Sequence, residues 1–182
     1  FKFIHFGRWD YRKSTKEIIE NFLKEFDKNE PVDLIISIDN MFAKDGFETT
    51  EDRLKHYSLL DPRIKIKHFP TRDEYIKYLQ KGHVFLSCAR SEGWNLPLIE
   101  AMACGLPVVA TRCGGPEDIF EEGMGMLVGV GDARALARGI LTVLNEYEGF
   151  DRAEIRRRIE AQYDYRGVAE RIYGVYEEVL DR

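Results

Sequence analysis

The hydrophobic positions along the chain alternate between two periods. Short apolar, β-rich runs predict strands at residues 1–6, 32–38, 63–69, 84–88, 107–111 and 124–130. Helical spacing predicts helices that start at residue 14 and cover about 51–59, 72–82, about 97–104, 133–147, 151–162 and 166–181. Ser14 or Thr15 is expected to cap the first helix, with Glu17 completing a capping box. The polar residues 39–50 are expected to form a mobile loop.

This alternation of strands and helices predicts an α/β fold. The connections are too long for hairpins, so they indicate right-handed crossovers and a parallel sheet covered on both faces. We expect residues 1–182 to form one Rossmann-like, doubly wound domain with about six strands flanked by helices. Ligands of such sheets bind beyond the carboxyl ends of the strands. The candidate positions are the loops at 7–13, 69–72, 89–96 and 112–116.

Composition and charge narrow the function classes. The 182 residues are 44% hydrophobic and 32% charged, which is typical of a soluble globular domain, and the net charge of −5 gives no basic excess for nucleic acid. No apolar run reaches the ~18 residues of a membrane span, and no signal peptide is recognisable. The three cysteines lack metal-site spacing and are expected to be reduced thiols in a cytosolic protein. Because the chain starts at Phe1 inside a predicted strand, we expect a fragment or an excised domain.

The stretch Gly93-Trp94-Asn95-Leu96-Pro97 precedes a predicted helix and is a candidate phosphate site. Proline suits the first helical turn, and the free amides at a helix N-terminus favour an anion. The glycine would allow a ligand to approach the backbone closely. The alternative is a helix start that serves only the fold.

Two basic residues follow the first predicted strand, in the sequence FGRWDYRKS. Arg8 and Lys13 could hold a pyrophosphate, the arginine through its planar fork and the lysine as a point charge. A solvated basic loop is the alternative. Neither the dinucleotide fingerprint nor the P-loop pattern is present, which disfavours a dehydrogenase.

Glu92 and Glu100 lie eight positions apart around the same loop and helix start. A carboxylate beside a phosphate site repels the ligand unless it meets hydroxyl groups, and a ribose or a hexose supplies them. One stretch could therefore hold ribose, diphosphate and sugar in sequence. Spacing alone also allows two solvated carboxylates with no ligand.

The run EGWNLPLIEAMACGLPVVAT, followed by GGPEDI, resembles the E-x7-E signature of retaining glycosyltransferases with the GT-B fold, family 4, also named glycosyl transferases group 1. FGRWDYRKS resembles the Gly-Arg…Lys loop of that family, and residues 63–93 follow its order of strand, base-binding loop, helix and strand. The resemblance covers nearly the whole chain. It implies the C-terminal, nucleotide-sugar-binding half of such an enzyme, without the N-terminal acceptor domain.

The resemblance implies a role for each matching residue. Arg8 and Lys13 would contact the donor diphosphate, and Glu92 would accept hydrogen bonds from the donor sugar; these three form the expected catalytic set. Glu100 would bind the ribose hydroxyls. The remaining expected donor-binding residues are Gly7, the base-contacting turn Phe69, Pro70 and Thr71, and the amide-donating Gly93, Trp94, Asn95 and Leu96.

The chain departs from the family pattern at three positions. Asn95 stands where the family usually has glycine, so its side chain is expected to crowd or to bond the donor. Ser14 replaces the glycine common after the loop lysine, and the base-loop glycine corresponds to His68 or Phe69. These departures leave the donor preference open.

The implied reaction moves a hexose from a UDP-, GDP- or ADP-linked donor to a glycan, lipid or other acceptor, with retention and with no metal or other cofactor. The expected partners are the donor and the missing N-terminal domain, without which the fragment is expected to be nearly inactive. We expect a cytoplasmic protein, peripheral at the inner membrane face only through the missing half. The alternatives are a non-catalytic nucleotide-sugar-binding module, a GT-B sugar-nucleotide epimerase or phosphorylase, and an interaction domain.

Overall fold

A six-stranded parallel sheet forms the centre of the computed structural model, which describes residues 1–38 and 46–180. The strands are β1 (Lys2–Phe6), β2 (Asp33–Ser37), β3 (Ile64–Ile66), β4 (Val84–Ser87), β5 (Val108–Thr111) and β6 (Gly125–Val128). Their order in the sheet is β3-β2-β1-β4-β5-β6. The strand order therefore reverses between β1 and β4, where a doubly wound sheet opens a crevice for ligands.

The described residues also form eight α-helices and one short 3-10 turn, of which the first five helices connect the strands and the rest follow β6. The helices are α1 (Thr15–Glu25), α2 (Thr50–His56), α3 (Arg72–Gln80), α4 (Leu96–Ala103), α5 (Gly115–Ile119), α6 (Ala133–Asn145), α7 (Arg152–Tyr163) and α8 (Tyr165–Leu180). The 3-10 turn is Tyr147–Gly149. The predicted α/β, doubly wound fold is confirmed.

Two apolar cores lie on opposite faces of the sheet. On one face, Phe22 of α1 and Ile140 of α6 pack with Phe3 of β1. On the other face, Met102 of α4 and Ile159 of α7 belong to a second buried cluster. Because both faces are covered, the strands are apolar on both sides, which explains why their sequences are continuous hydrophobic runs.

The first helix begins differently from the prediction. Ser14 adopts the left-handed conformation, with φ 51°, and its side chain makes no capping hydrogen bond. Glu17 does not complete a capping box either, since its carboxylate forms an ion pair with Arg90 at 2.8 Å. The prediction of a serine cap was wrong because the preceding loop is held by tertiary contacts, which fix the backbone at this position.

Two other boundaries differ from the expectation. The strand predicted at 63–69 is limited to Ile64–Ile66, because Phe69 leaves the sheet and packs against the rings of Phe6 and Tyr75, with centroid distances of 5.1 and 5.7 Å. The loop expected at 112–116 ends earlier, because α5 begins at Gly115. Of the polar loop expected at 39–50, residues 39–45 lie outside the described residues.

The structure also bears on the expected state of the three cysteines and on the expectation of no membrane span. Cys88 is buried, Cys104 and Cys113 are partly buried, and all three are free thiols. Burial raises the pKa of the Cys88 thiol, which keeps it protonated. No helix of the described residues combines the length and the apolar character that crossing a bilayer requires.

Candidate functional site

The loop after β1 is tied to both neighbouring strands at the carboxyl edge of the sheet. The amide of Gly7 donates to the carbonyl of Ser37 at the end of β2, at 3.0 Å. On the other side, the amide of Arg90 donates to the carbonyl of Arg12 at 2.7 Å. The second of these bonds joins the predicted loops 7–13 and 89–96 across the switch point between β1 and β4.

Glu92 is held by two cations of this loop. The Nζ atom of Lys13 forms an ion pair with Oε1 of Glu92, and Nη1 of Arg12 reaches the same oxygen at 2.6 Å. Arg12 also donates to the carbonyl of Ser91 at 3.0 Å. The Glu92 and Lys13 side chains are 8% and 12% exposed, whereas that of Arg12 is 47% exposed. The structure thus brings together two predicted residues, Lys13 and Glu92, and adds a third, Arg12.

The loops after β4 and β5 pair with each other as a short parallel bridge. The amide of Glu92 donates to the carbonyl of Cys113 at 3.1 Å, and the amide of Gly115 donates to the carbonyl of Glu92 at 2.8 Å. A Cβ atom at Gly115 would lie 1.8 Å from the carbonyl oxygen of Gly93, so this close approach requires glycine. The bridge fixes the backbone of Glu92 independently of its side chain.

Asn95 precedes α4 in the left-handed conformation, with φ 53°. Its side chain is buried and donates from Nδ2 to the hydroxyl of Ser87 at 2.6 Å. This hydrogen bond holds Nδ2 of Asn95 against the interior of the protein, and the expectation that the side chain crowds or bonds the donor stays a prediction. Asn95 and Ser14, two of the three positions where the family resemblance predicts glycine, share a left-handed backbone that glycine adopts without strain.

The N-terminus of α4 presents unused donors at this edge. Among the described residues, none accepts a hydrogen bond from the backbone amides of residues 93–96. Nothing lies within 4 Å of the place where a Cβ atom of Gly93 would be, so the backbone is open to approach. The Trp94 side chain is 62% exposed and meets Tyr163 of α7 edge to face, with centroids 5.7 Å apart. Leu96 is also exposed.

Glu100, one turn into α4, is held by two side chains of α3. Nη2 of Arg72 lies 2.7 Å from Oε1 of Glu100, and the hydroxyl of Tyr75 donates to Oε2 at 2.6 Å. Burial and the neighbouring Glu100 carboxylate raise the pKa of Tyr75, so the phenol stays a donor. Glu92 and Glu100 thus have separate sets of partners, one on the β1 loop and one on α3.

A cleft of about 720 Å³ adjoins Glu100 on the β2 and β3 side of the site. Its walls contain the predicted turn together with residues of α3 and β2: Ser37, His68, Phe69, Pro70, Thr71, Arg72 and Tyr75. Since Arg72 and Tyr75 also contact Glu100, the predicted base-binding turn and the predicted ribose-binding carboxylate share one wall.

Arg8 is exposed directly after β1, and its carbonyl accepts a hydrogen bond from the hydroxyl of Thr15 at 3.0 Å. Beneath this loop lies the buried His5, whose Nδ1 donates to the carbonyl of Leu86 at 2.9 Å. Its Nε2 lies 3.0 Å from the Thr15 hydroxyl oxygen. Burial lowers the pKa of His5 to about 4, so the imidazole is neutral and serves the fold.

Residues 1–162 match the family described as glycosyl transferases group 1. The chain belongs to this family. The predicted family is thereby confirmed, and the match includes every predicted site residue. Residues 1–38 and 46–180 contain no group of three His, Cys, Asp or Glu side chains that could hold a metal ion.

Curated relatives include the N-acetyl-alpha-D-glucosaminyl L-malate synthase of Bacillus anthracis, which is 25% identical over 181 residues. That alignment covers 97% of this chain and 44% of the synthase. The sulfoquinovosyl transferase SQD2 of Arabidopsis thaliana is 34% identical over 105 residues, which cover 55% of this chain and 21% of the transferase. The chain therefore spans less than half the length of these two relatives.

Two solved structures show the same fold. The Anabaena protein Alr3699/HepE in complex with UDP-glucose superposes with a TM-score of 0.79 at 21% identity, over 98% of this chain and 49% of that one. The C-terminal domain of a group 1 family protein, LpcC of Francisella tularensis, gives a TM-score of 0.74 at 20% identity, over 91% of this chain and 87% of that one. The GT-B likeness predicted for the fold is confirmed.

Sequence reasoning missed three side chains that hold the two predicted carboxylates: Arg12 at Glu92, and Arg72 and Tyr75 at Glu100. Arg12 could have been suspected as the third basic side chain of FGRWDYRKS. Arg72 and Tyr75 carry no comparable signal, because Tyr75 reaches a carboxylate 25 residues away through the packing of α3 beside α4.

Proposed function

We propose that this chain is the donor-binding domain of a retaining glycosyltransferase that moves a sugar from a nucleotide diphosphate sugar to an acceptor. One observation carries the proposal. Glu92 and Glu100 flank the open N-terminus of α4, and each is held by a different wall of the site. An elongated ligand with hydroxyl groups at both ends and negative charge in the middle fits that arrangement.

The donor would lie along the carboxyl edge of the sheet. The base would occupy the cleft beside Phe69, Pro70 and Thr71. The ribose hydroxyls would donate to Glu100. The diphosphate would meet the free amides at the start of α4, which favour anions because of their unpaired N–H groups and the helix dipole.

Arg8 and Lys13 would complete the diphosphate site, and Glu92 would accept hydrogen bonds from the sugar. Negative charge develops on the diphosphate as the glycosidic bond breaks, and fixed cations and amides stabilise such charge in the transition state. The sugar passes through an oxocarbenium-like state, as in other glycosyl transfers. Transfer on the same face, without a covalent enzyme intermediate, accounts for retention in this proposal.

A second domain would supply the acceptor site. The chain covers 44% of the Bacillus anthracis synthase, and its fold matches a domain described as C-terminal in the Francisella tularensis protein. Both observations support an N-terminal partner domain in the complete protein. We further propose that the complete protein is cytoplasmic and contacts the inner membrane face only through that N-terminal domain.

Isothermal titration calorimetry of the chain with UDP, GDP and ADP tests the proposal. We expect saturable binding of one nucleotide and a loss of at least about tenfold in Arg8→Ala, the order of a charged hydrogen bond. Arg156→Ala, which removes an exposed arginine paired with Glu160 on α7, is the matched control and should bind like the wild type. Failure of all three nucleotides to bind would contradict the proposal for this chain.

A further inference from the structure

Both carboxylate oxygens of Glu100 are engaged from the same helix. Tyr75 donates to Oε2 at 2.6 Å, and Arg72 donates to Oε1 at 2.7 Å. Neither residue belongs to the motif that carries Glu100. The two partners lie three positions apart on α3, so a single face of this helix sets the orientation of the Glu100 carboxylate.

The two partners are held in different ways. The ring of Tyr75 packs between Phe6 and Phe69, with centroid distances of 5.2 and 5.7 Å, so its hydroxyl has little freedom to move. The Arg72 side chain is 61% exposed. Its guanidinium lies over the Tyr75 ring, with 5.0 Å between Cζ and the ring centroid, and it lines the cleft.

Because the Tyr75 ring is packed and the Arg72 side chain is exposed, the contact of Tyr75 with Glu100 is fixed, whereas the contact of Arg72 with Glu100 can be broken. A carboxylate has about four positions that accept hydrogen bonds, two on each oxygen. Tyr75 occupies a position on the protein side of Glu100. Arg72, the exposed partner, approaches from the solvent, which is the direction from which a ligand must arrive. An exposed ion pair is weak, so its replacement reduces binding by no more than about fivefold.

We propose that Tyr75 is the positioning residue that fixes the Glu100 carboxylate for a ribose diol, and that Arg72 is a cap that leaves Oε1 when the diol binds. The inference rests on the proposed donor-binding function and assigns two residues to its ribose site. Tyr75 remains a donor throughout the working pH range because its pKa is raised by burial and by Glu100. Arg72 competes with the ligand for one oxygen.

The test compares affinities for UDP, GDP and ADP with those for their 2′,3′-dideoxy analogues. The ratio of the two dissociation constants isolates the contribution of the diol, because changes at the base or the diphosphate affect both ligands alike. Wild-type chain should prefer the ribonucleotide by at least about tenfold. Tyr75→Phe keeps the ring and removes the hydroxyl, and it should lower this ratio at least about threefold.

Arg72→Gln should move the ratio in the opposite direction, raising it about two- to fivefold, because the competitor for Oε1 is gone. Tyr78→Phe is the matched control: Tyr78 lies on the same helix and packs against Phe69, so its ratio should equal the wild-type value. Thermal unfolding of each variant checks that the fold is intact, and the exposed Arg72 change tests the site even if Tyr75→Phe is less stable.

The possible results separate three claims: the positioning role of Tyr75, the capping role of Arg72 and nucleotide binding itself. A ratio unchanged in Tyr75→Phe would overturn the positioning role, and a lower ratio in Arg72→Gln would overturn the cap, since Arg72 would then assist the diol. A wild-type chain that binds a nucleotide without distinguishing the dideoxy form would overturn the inference while leaving donor binding intact. Absence of binding to every nucleotide would overturn both the inference and the proposed function.

Discussion

Lys13 and Glu92, the cation assigned to the diphosphate and the carboxylate assigned to the sugar, are each other's partners in the structure. Both side chains are largely buried at the carboxyl edge of the sheet. In the proposed function, donor binding therefore replaces the Lys13–Glu92 ion pair by contacts of Lys13 with the diphosphate and of Glu92 with the sugar hydroxyls. The ion pair holds both side chains in place and compensates their charges in the protein without a ligand.

The two cations around Glu92 are expected to differ in their effect on stability. Lys13→Ala leaves a mostly buried carboxylate with one exposed partner and should cost about 1–3 kcal/mol of unfolding free energy. Arg12→Ala removes a half-exposed partner and should cost less than about 1 kcal/mol. Urea denaturation measures both values, and an equal loss in the two variants would contradict the difference in burial.

The two carboxylates should have separable roles. Glu100→Ala should weaken nucleoside diphosphate binding by about 1.5–3 kcal/mol, because it removes a charged acceptor for the ribose. Glu92→Ala should leave nucleotide binding nearly intact and impair sugar transfer by the full-length protein. Calorimetry and a transfer assay measure the two effects, with Glu160→Ala on α7 as a surface control. Equal loss of nucleotide binding in Glu92→Ala and Glu100→Ala would refute this division.

Two neighbouring glycines should respond differently to a methyl group. In Gly115→Ala the new Cβ would meet the Gly93 carbonyl at 1.8 Å, so the loops must separate, at a cost of about 2–3 kcal/mol. In Gly93→Ala nothing lies within 4 Å of the new atom, so the fold should tolerate it.

We expect Gly93→Ala to weaken donor binding only, because the methyl group would occupy the space open to the ligand. Denaturation and calorimetry on both variants check this pair. A stable Gly115→Ala protein would show that the bridge between Glu92 and Gly114 is not rigid.

Asn95 should be more tolerant of glycine than of alanine. Both substitutions remove the hydrogen bond to Ser87, but only alanine is strained at φ 53°. Asn95→Ala should therefore be less stable than Asn95→Gly by about 1 kcal/mol in equilibrium denaturation. Ser14→Ala and Ser14→Gly, at the other left-handed position, should show the same order, and a reversed order at both would contradict the strain argument.

His5 should make the fold less stable in mild acid. Burial lowers its pKa from 6.5 to about 4, so between these values the unfolded chain binds a proton that the folded chain excludes. The stabilisation is fully present above about pH 6.5 and is lost as the pH falls towards 4, by up to about 1.4 kcal/mol per pH unit. Burial also lowers the pKa of His83, so His83 likewise makes the fold less stable as the pH falls.

NMR titration of the assigned imidazole resonances measures this directly. His5 should remain neutral at pH 5.5, and unfolding experiments should show a lower midpoint at pH 5 than at pH 7. An imidazole of His5 that titrates near 6.5 in the folded protein would contradict the burial argument.

The sequence by itself determined the class of the fold and the position of the site along the chain. Continuous apolar strands separated by helical periods allow little other than a parallel sheet with helices on both faces, because each apolar face must be buried. Glu92, Glu100 and the helix start between them are local in sequence, so their motif was readable.

Only the tertiary structure decided which side chains hold that motif. Arg12 and Lys13 reach Glu92 because the loops after β1 and β4 meet at the switch point, and Tyr75 reaches Glu100 because α3 packs beside α4. The left-handed backbone of Ser14 and Asn95 likewise follows from loop contacts that outweigh local capping preferences. Such pairings depend on distances between residues far apart in the chain, and hydrophobic periodicity carries no information about them.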